Sequence, residues 1–187
     1  MNLILASKSP TRAKILRKFG INFTQIGINF DEDMIKFTKP KDFVYHATKG
    51  KIQEYLSNYD LNTPVLCADT VVCADGEILR KAKDRDEARE ILLKQSGKSV
   101  SILTCMIYKS KKMEFIDISA TKYLFLPFEA DKLGLYLKSD EWKGKAGACM
   151  VEGFCKQYIK KVIGLESTAM GLSIEKLMPF LKLDHVF

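Results

Sequence analysis

"NLILASKSPTRAKILRKFG", residues 2–20, decides how the chain begins to fold. Asn2 to Ser7 is a short apolar run that predicts a buried strand. Ser9 can cap a helix, Pro10 suits its first position and Gly20 stops it, so a helix over Pro10–Phe19 follows at once. The charges on that helix are reversed. Its free amides and dipole favour acids at the N-terminus, yet Lys8 and Arg12 crowd that end and no acidic residue precedes Asp31. A strand that turns into such a helix has the pattern of an anion site, where amides, dipole and cations hold a phosphate. Lys8 and Arg12 facing water is the plainer alternative, and no GxxxxGK[ST] loop is present.

Working outward, "INFTQIGINF" (21–30) alternates and predicts a second strand, and "DEDM" (31–34) an acidic loop. "PKDFVYHATKGKIQEYLSNY" (40–59) is helical, with Val44, Ala47, Thr48, Lys51 and Tyr55 on one face and Lys51 its odd member. "PVLCADTVVCADGEIL" (64–79) reads as a strand, a turn at Ala74-Asp75-Gly76 and a short strand. A helix over 84–97, a long hairpin over 98–126 and a helix over 129–139 follow. The glycine-rich "GKAGACMVEG" (144–153), a strand at 157–164 and a closing helix at 173–183 complete the chain. Strands and helices alternate without a strict βαβ rhythm, which predicts an α/β protein with a mixed sheet and helices packed on it.

The 187 residues suit one ordinary domain, 1–187, and 47% hydrophobic with 28% charged residues describes a folded soluble protein. The net charge of +7 asks for an anionic partner. The cations are spread out, without basic runs interleaved with aromatics, which argues against nucleic acid. "LILA" is too short for a secretory or membrane segment, so no membrane association is expected. Five cysteines and two histidines are present and no cysteines sit in CxxC, which argues against zinc. The odd cysteine count without a signal peptide points to reduced thiols and a cytoplasmic protein.

Asp69 lies inside an apolar strand, where a carboxylate is costly unless paired, hydrogen-bonded or bound to metal. Capping a turn at a strand end would also explain it. Asp69 beside Thr70 suits a divalent cation with phosphate oxygens, because hard ions take oxygen ligands. Glu32 could supply a second carboxylate, or be a surface loop acid. Lys81 could be solvated, and Lys51 could snorkel. Taken with Arg12, one buried acid and cations from separate segments are what metal-assisted phosphoryl transfer requires.

At these residues the sequence resembles the Maf family of nucleoside triphosphate pyrophosphatases. "LASKSPTR" is similar to the family's LASxSPRR, and "DED" to its acidic loop. "CADTVV...GEILRKAKDRDEA" resembles ADTVV...GxILGKPxDxxEA, and "LLKQSGKSVSILT" resembles LxxLSGxxHxVxT. "GKAGACMVEG" and "VIGLESTAMGLSIEKL" are similar to DKAGAYGIQG and IxGSYxNVVGLPLxxL. The resemblance implies an inosine triphosphatase-like fold: a twisted central sheet with flanking helices, and two lobes around a deep cleft. It implies hydrolysis between the α- and β-phosphates of a nucleoside triphosphate, with Mg2+ or Mn2+. Asp69 matches the proton acceptor, with Glu32 and Lys81 as further catalytic positions and Asp69 and Glu32 as metal ligands. Ser7, Arg12 and Lys51 match positions lining the triphosphate cleft. A homodimer fits the resemblance, as does housecleaning of unwanted nucleotides. The alternative is a catalytically weak nucleotide-binding regulator of cell division and septum formation.

Departures from the pattern fall at Thr11, Arg80, Ala82, Gly144, Glu152 and Ser173; the charged catalytic positions survive, while base-facing positions have moved. Pyrimidine-type members carry Arg, Thr and Gln at the positions of Thr11, Thr70 and Glu152, and methylguanosine-type members carry Trp, Gln and Glu. This chain is a hybrid. A Glu carboxylate only accepts hydrogen bonds, which suits the adjacent N1–H and N2 amino donors of guanine. Thr70 and the missing aromatic at Thr11 argue the other way. The balance favours a guanine-type or modified nucleotide over dTTP.

Overall fold

A computed structural model describes residues 2–186; Met1 and Phe187, the ends of the expected domain, lie outside it. Strand β1 (Leu3–Ala6) turns into helix α1 (Pro10–Lys18), as the apolar run and Ser9-Pro10 predict. β2 (Phe23–Ile26) and α2 (Pro40–Asn58) follow, then β3 (Val65–Ala74), β4 (Glu77–Leu79) and α3 (Arg85–Leu93). The long hairpin is β5 (Ser99–Lys109) with β6 (Glu114–Phe125), and α4 (Ala130–Ser139), β7 (Ile159–Ile163), α5 (Glu166–Ala169) and α6 (Ile174–Leu183) close the chain.

The seven strands form one mixed sheet in the order β2-β1-β3-β5-β6-β7, with β4 paired to β3. β1 pairs in parallel with β2 and β3, and the other pairings are antiparallel. The second strand is shorter than the alternation of residues 21–30 suggests. Its partner β1 ends at Ala6, opposite Ile26, so no ladder remains for the rest. The acidic loop contains a short 3-10 turn, Glu32–Met34, capped by the Asp31 carboxylate, which accepts from the Asp33 amide at 3.0 Å.

β3 positions the site. One edge is paired with β5 from Val65 to Ala74. The other meets β1 only at Val65 and Leu66, and β4 only from Val72 to Ala74. Between them, 67–71 have no strand partner on that edge among the described residues. Alternation sends successive side chains to opposite faces. Cys67, Val71 and Cys73 pack with Val44 and Ala47 of α2. Leu66 and Ala68 pack with Leu5 and Leu16, and Val72 with Leu92 and Trp142, on the other side. Asp69 therefore shares the α2 face, and Thr70 the face of α1.

Far from that edge, the buried Tyr108 hydroxyl donates to the buried Asp184 carboxylate at 2.6 Å, tying β5 to the end of α6. Tyr108→Phe leaves that oxygen short of a donor. We expect a loss of about 1–3 kcal/mol, seen as a lower urea midpoint with an unchanged m-value.

Candidate active site

The turn from β1 into α1 builds the first wall. Ser9 caps α1, its Oγ accepting from the Arg12 amide at 3.4 Å, and no acid stands in the first turn. The Arg12 side chain is held on three sides. Nε donates to the Gly171 carbonyl at 2.8 Å, one terminal nitrogen to Ser7 Oγ at 3.1 Å, and the other to Thr70 Oγ1 at 3.2 Å. Thr70 in turn shares a 2.8 Å hydrogen bond with Thr104, which donates to the Thr168 carbonyl at 2.7 Å. The guanidinium is thus fixed by backbone and hydroxyl oxygens, and among the described residues no carboxylate pairs with it directly.

On the opposite face, Lys51 rises from the middle of α2. Its Nζ donates to Asp69 Oδ1 at 2.6 Å and to Glu32 Oε1 at 2.7 Å. Asp69 is only 7% exposed, whereas the Glu32 side chain is 45% exposed on its short turn. The aromatic ring of Phe30 lies against Gly50, where an added Cβ would come within 2.2 Å of it. Only glycine there lets the segment leading to Glu32 sit on α2 beside Lys51. Burial pushes the Asp69 carboxyl above its ordinary value, with Glu32 adding to the rise while Lys51 and Arg12 oppose it. Burial also pushes the nearby Cys67 thiol up to about 12 and Cys105 to about 11, so both stay neutral and neither is a thiolate nucleophile.

A cavity of about 690 Å³ joins these groups. Ser7, Thr11, Arg12, Glu32, Lys51, Asp69, Thr70, Lys81 and Glu152 all line it, so the structure brings together every site residue expected from sequence. Six cationic side chains, including Lys81, Lys143 and Lys145, face three carboxylates. Lys81 reaches the wall through an isolated antiparallel bridge with Ala146, which ties it to the glycine-rich segment. The Gly147 amide donates to the Leu79 and Arg80 carbonyls at 3.1 Å, and its own carbonyl accepts from buried Gln95 at 2.6 Å. Gly147 has φ +66°, and a Cβ would come within 2.9 Å of Val72.

The family profile described as Maf-like protein matches residues 2–183. The chain belongs to the Maf family. A protein of a Nitratiruptor species named nucleoside triphosphate pyrophosphatase is 55% identical over 95% of this chain and 97% of its own. One of the same name from Helicobacter pylori is 38% identical over 98% of this chain and 96% of its own. Among solved structures, the Staphylococcus aureus Ham1 protein aligns with a TM-score of 0.52 at 14% identity, covering 98% of this chain and all of that one. That likeness is one of fold.

Within this Maf chain, Cys149 and Cys155 bring their sulfurs into contact, with Cα atoms 6.3 Å apart, while Cys67, Cys73 and Cys105 are buried. The chain turns back at Gly153, with the Gly153 and Cys155 amides both donating to the Met150 carbonyl, at 3.0 and 3.1 Å. This brings the two sulfurs together, three residues to either side of Glu152 in sequence. Sequence reading also passed over Thr104, Gln95 and the Gly171 carbonyl. Gln95 stands where the Maf motif LxxLSG has leucine, which was its available signal; its Oε1 is buried without a partner among the described residues. The Gly171 carbonyl lies 159 residues from Arg12 and carries no local signal. No helix among the described residues is long and apolar enough to cross a membrane.

The raised carboxyl predicts a titration. A folded-state value above the ordinary ~3.9 means that the folded protein binds this proton more tightly than the unfolded chain. Asp69 therefore favours the fold at low pH and withdraws that support as pH rises through its midpoint. In the metal-free protein, the Asp69 side-chain 13C midpoint is expected above that ordinary value, and higher again in Lys51→Gln, where the opposing charge is gone. A midpoint at or below the ordinary value would contradict this environment.

Proposed function

We propose that this protein is a nucleoside triphosphate pyrophosphatase that hydrolyses the α–β phosphoanhydride to a nucleoside monophosphate and pyrophosphate. The observation that carries the reading is the convergence of Asp69 and Glu32 on one cationic point, in the wall of a cavity with excess positive charge. The near-complete coverage by relatives named for this activity supports it.

The reaction needs an activated water and stabilisation of the charge that builds on pyrophosphate. Asp69 is the base: its carboxylate takes a proton from the attacking water, and burial raises its affinity for that proton. Arg12 and Lys81 both line the cavity and supply positive charge to the phosphate oxygens. Ser7 and Thr70 orient the guanidinium through their hydroxyls. The donor set also fits a divalent cation. Two carboxylate oxygens already share one cation, both are hard ligands, and phosphate oxygens with water would complete the shell. Among the described residues no third acidic, histidine or cysteine side chain joins them, which suits Mg2+ or Mn2+ carried with a nucleotide. When bound, such an ion neutralises phosphate charge. The whole chain, as one Maf-like unit in the cytoplasm, would act on unwanted nucleotides.

Asp69→Asn is nearly isosteric but cannot take the proton. We expect its turnover to fall by roughly 10²–10⁴-fold with an unchanged circular dichroism spectrum, measured as pyrophosphate released with magnesium. Near-normal release would remove Asp69 from this role, and no release by the native protein from any triphosphate would favour a nucleotide-binding regulator.

Glu152 is the candidate base reader: it lies in the turn between Cys149 and Cys155 and lines the same cavity as Thr11 and Thr70. A carboxylate opposed to a pyrimidine carbonyl repels it, and a mismatched buried polar pair costs about 1–3 kcal/mol. Native protein is expected to prefer GTP or 7-methyl-GTP over dTTP and UTP, with Glu152→Gln narrowing the difference. A native dTTP or UTP preference untouched by Glu152→Gln would refute it.

A further inference from the structure

Lys51 is the least expected member of the site. It stands in the middle of α2, on a face otherwise packed by Val44, Ala47 and Thr48, and both acids that could hold a metal are bound to it. Its side chain is 15% exposed and that of Asp69 10%, so their attraction is poorly screened by water. Glu32 is more open, but Phe30 against Gly50 docks its segment beside Lys51.

An ammonium at 2.6 and 2.7 Å from the two oxygens fills the point where they meet. A small divalent ion takes its oxygen ligands closer, at about 2.0–2.1 Å, so the two cations cannot share that point. We propose that Lys51 is a resident placeholder for the divalent cation. Its ammonium keeps Asp69 and Glu32 together and neutralised in the empty protein, and it must leave when an ion reaches them. This rests on the pyrophosphatase reading above and adds a consequence to it.

Leaving is unfavourable on its own. A displaced ammonium would remain in a cavity already carrying Arg12, Lys81 and Lys145. A triphosphate changes that, because its oxygens give the ammonium a new partner, and the long unbranched lysine stem can swing between the two. Metal alone should therefore bind weakly, while metal and nucleotide bind as a mutually supporting pair. By linkage, each must then raise the affinity for the other.

The probe is Mn2+ alone, titrated into nucleotide-free protein and followed by electron paramagnetic resonance of the free ion. Lys51→Met removes the resident charge and keeps the stem. We expect Mn2+ to bind Lys51→Met at least about tenfold more tightly than native protein, within the usual range of such couplings, and Lys51→Met/Asp69→Asn to lose the gain. Equal or weaker binding by folded Lys51→Met overturns the proposal. A second measurement needs no variant. In native protein with 15N-labelled lysines, the Lys51 ammonium resonance should leave its carboxylate-bound position as Mg2+ saturates the site. An ammonium still bound to Asp69 and Glu32 at saturation overturns the proposal even if Lys51→Met fails to fold. The two readings fail separately. Native turnover with no Mn2+ gain in Lys51→Met defeats only the placeholder, and a Mn2+ gain without turnover of any triphosphate defeats only the pyrophosphatase.

Discussion

An acid on an interior strand has to be matched by positive charge, and the placement of Asp69 imposes this on everything near it. β3 is paired along its whole length on one side but interrupted on the other, over 67–71. The interruption opens the sheet to a cavity, and strand alternation aims Asp69 and Thr70 to different sides of it. Lys51 answers the carboxylate from α2, and Arg12 answers the hydroxyl from α1. A one-residue slip of β3 would exchange the two faces and leave a carboxylate against Leu16 and Leu5. Register is therefore as much a part of the site as the side chains.

The two cations are held in different ways. Lys51 is neutralised by carboxylates, while Arg12 is held by a carbonyl and two hydroxyls that direct it without cancelling its charge. The reversed charge at the start of α1 follows the same logic. α3 shows the ordinary arrangement, with Asp84 accepting from the Glu87 amide at 2.8 Å and Glu87 accepting from the Lys83 amide at 2.7 Å. α1 has no such acids in its first turn, so nothing there offsets the positive end of its dipole.

The elements that were legible in the sequence are those whose signals are local. Ser9-Pro10 and Gly20 bounded α1, and the Ala74-Asp75-Gly76 turn separated β3 from β4. The extent of β2 was not legible, because it is set by where β1 ends. The candidate residues Asp69, Glu32 and Lys51 were each ambiguous alone, since a solvated loop acid and a snorkelling lysine have the same local pattern. The ordered Maf-like motifs put them in one list, and only the packing of α2 against β3 put them in one place. Nothing in the spacing of Cys149 and Cys155 showed that the backbone turn at Gly153 brings their sulfurs together.

The bond from Arg12 to the Gly171 carbonyl joins parts of the chain 159 residues apart. Contacts of such long sequence separation form slowly, because loop-closure entropy is lost before they are made. Strand β1, α1 and β3 can associate during synthesis from the first half of the chain alone. The cradle that orients Arg12 cannot, because Gly171 and Thr168 are made last. A chain elongated only as far as β7 would thus carry Asp69, Glu32 and the lysines of the cavity with all seven strands, yet lack the Gly171 carbonyl that holds Arg12. The cradle is completed in one late step, when the C-terminal segment docks.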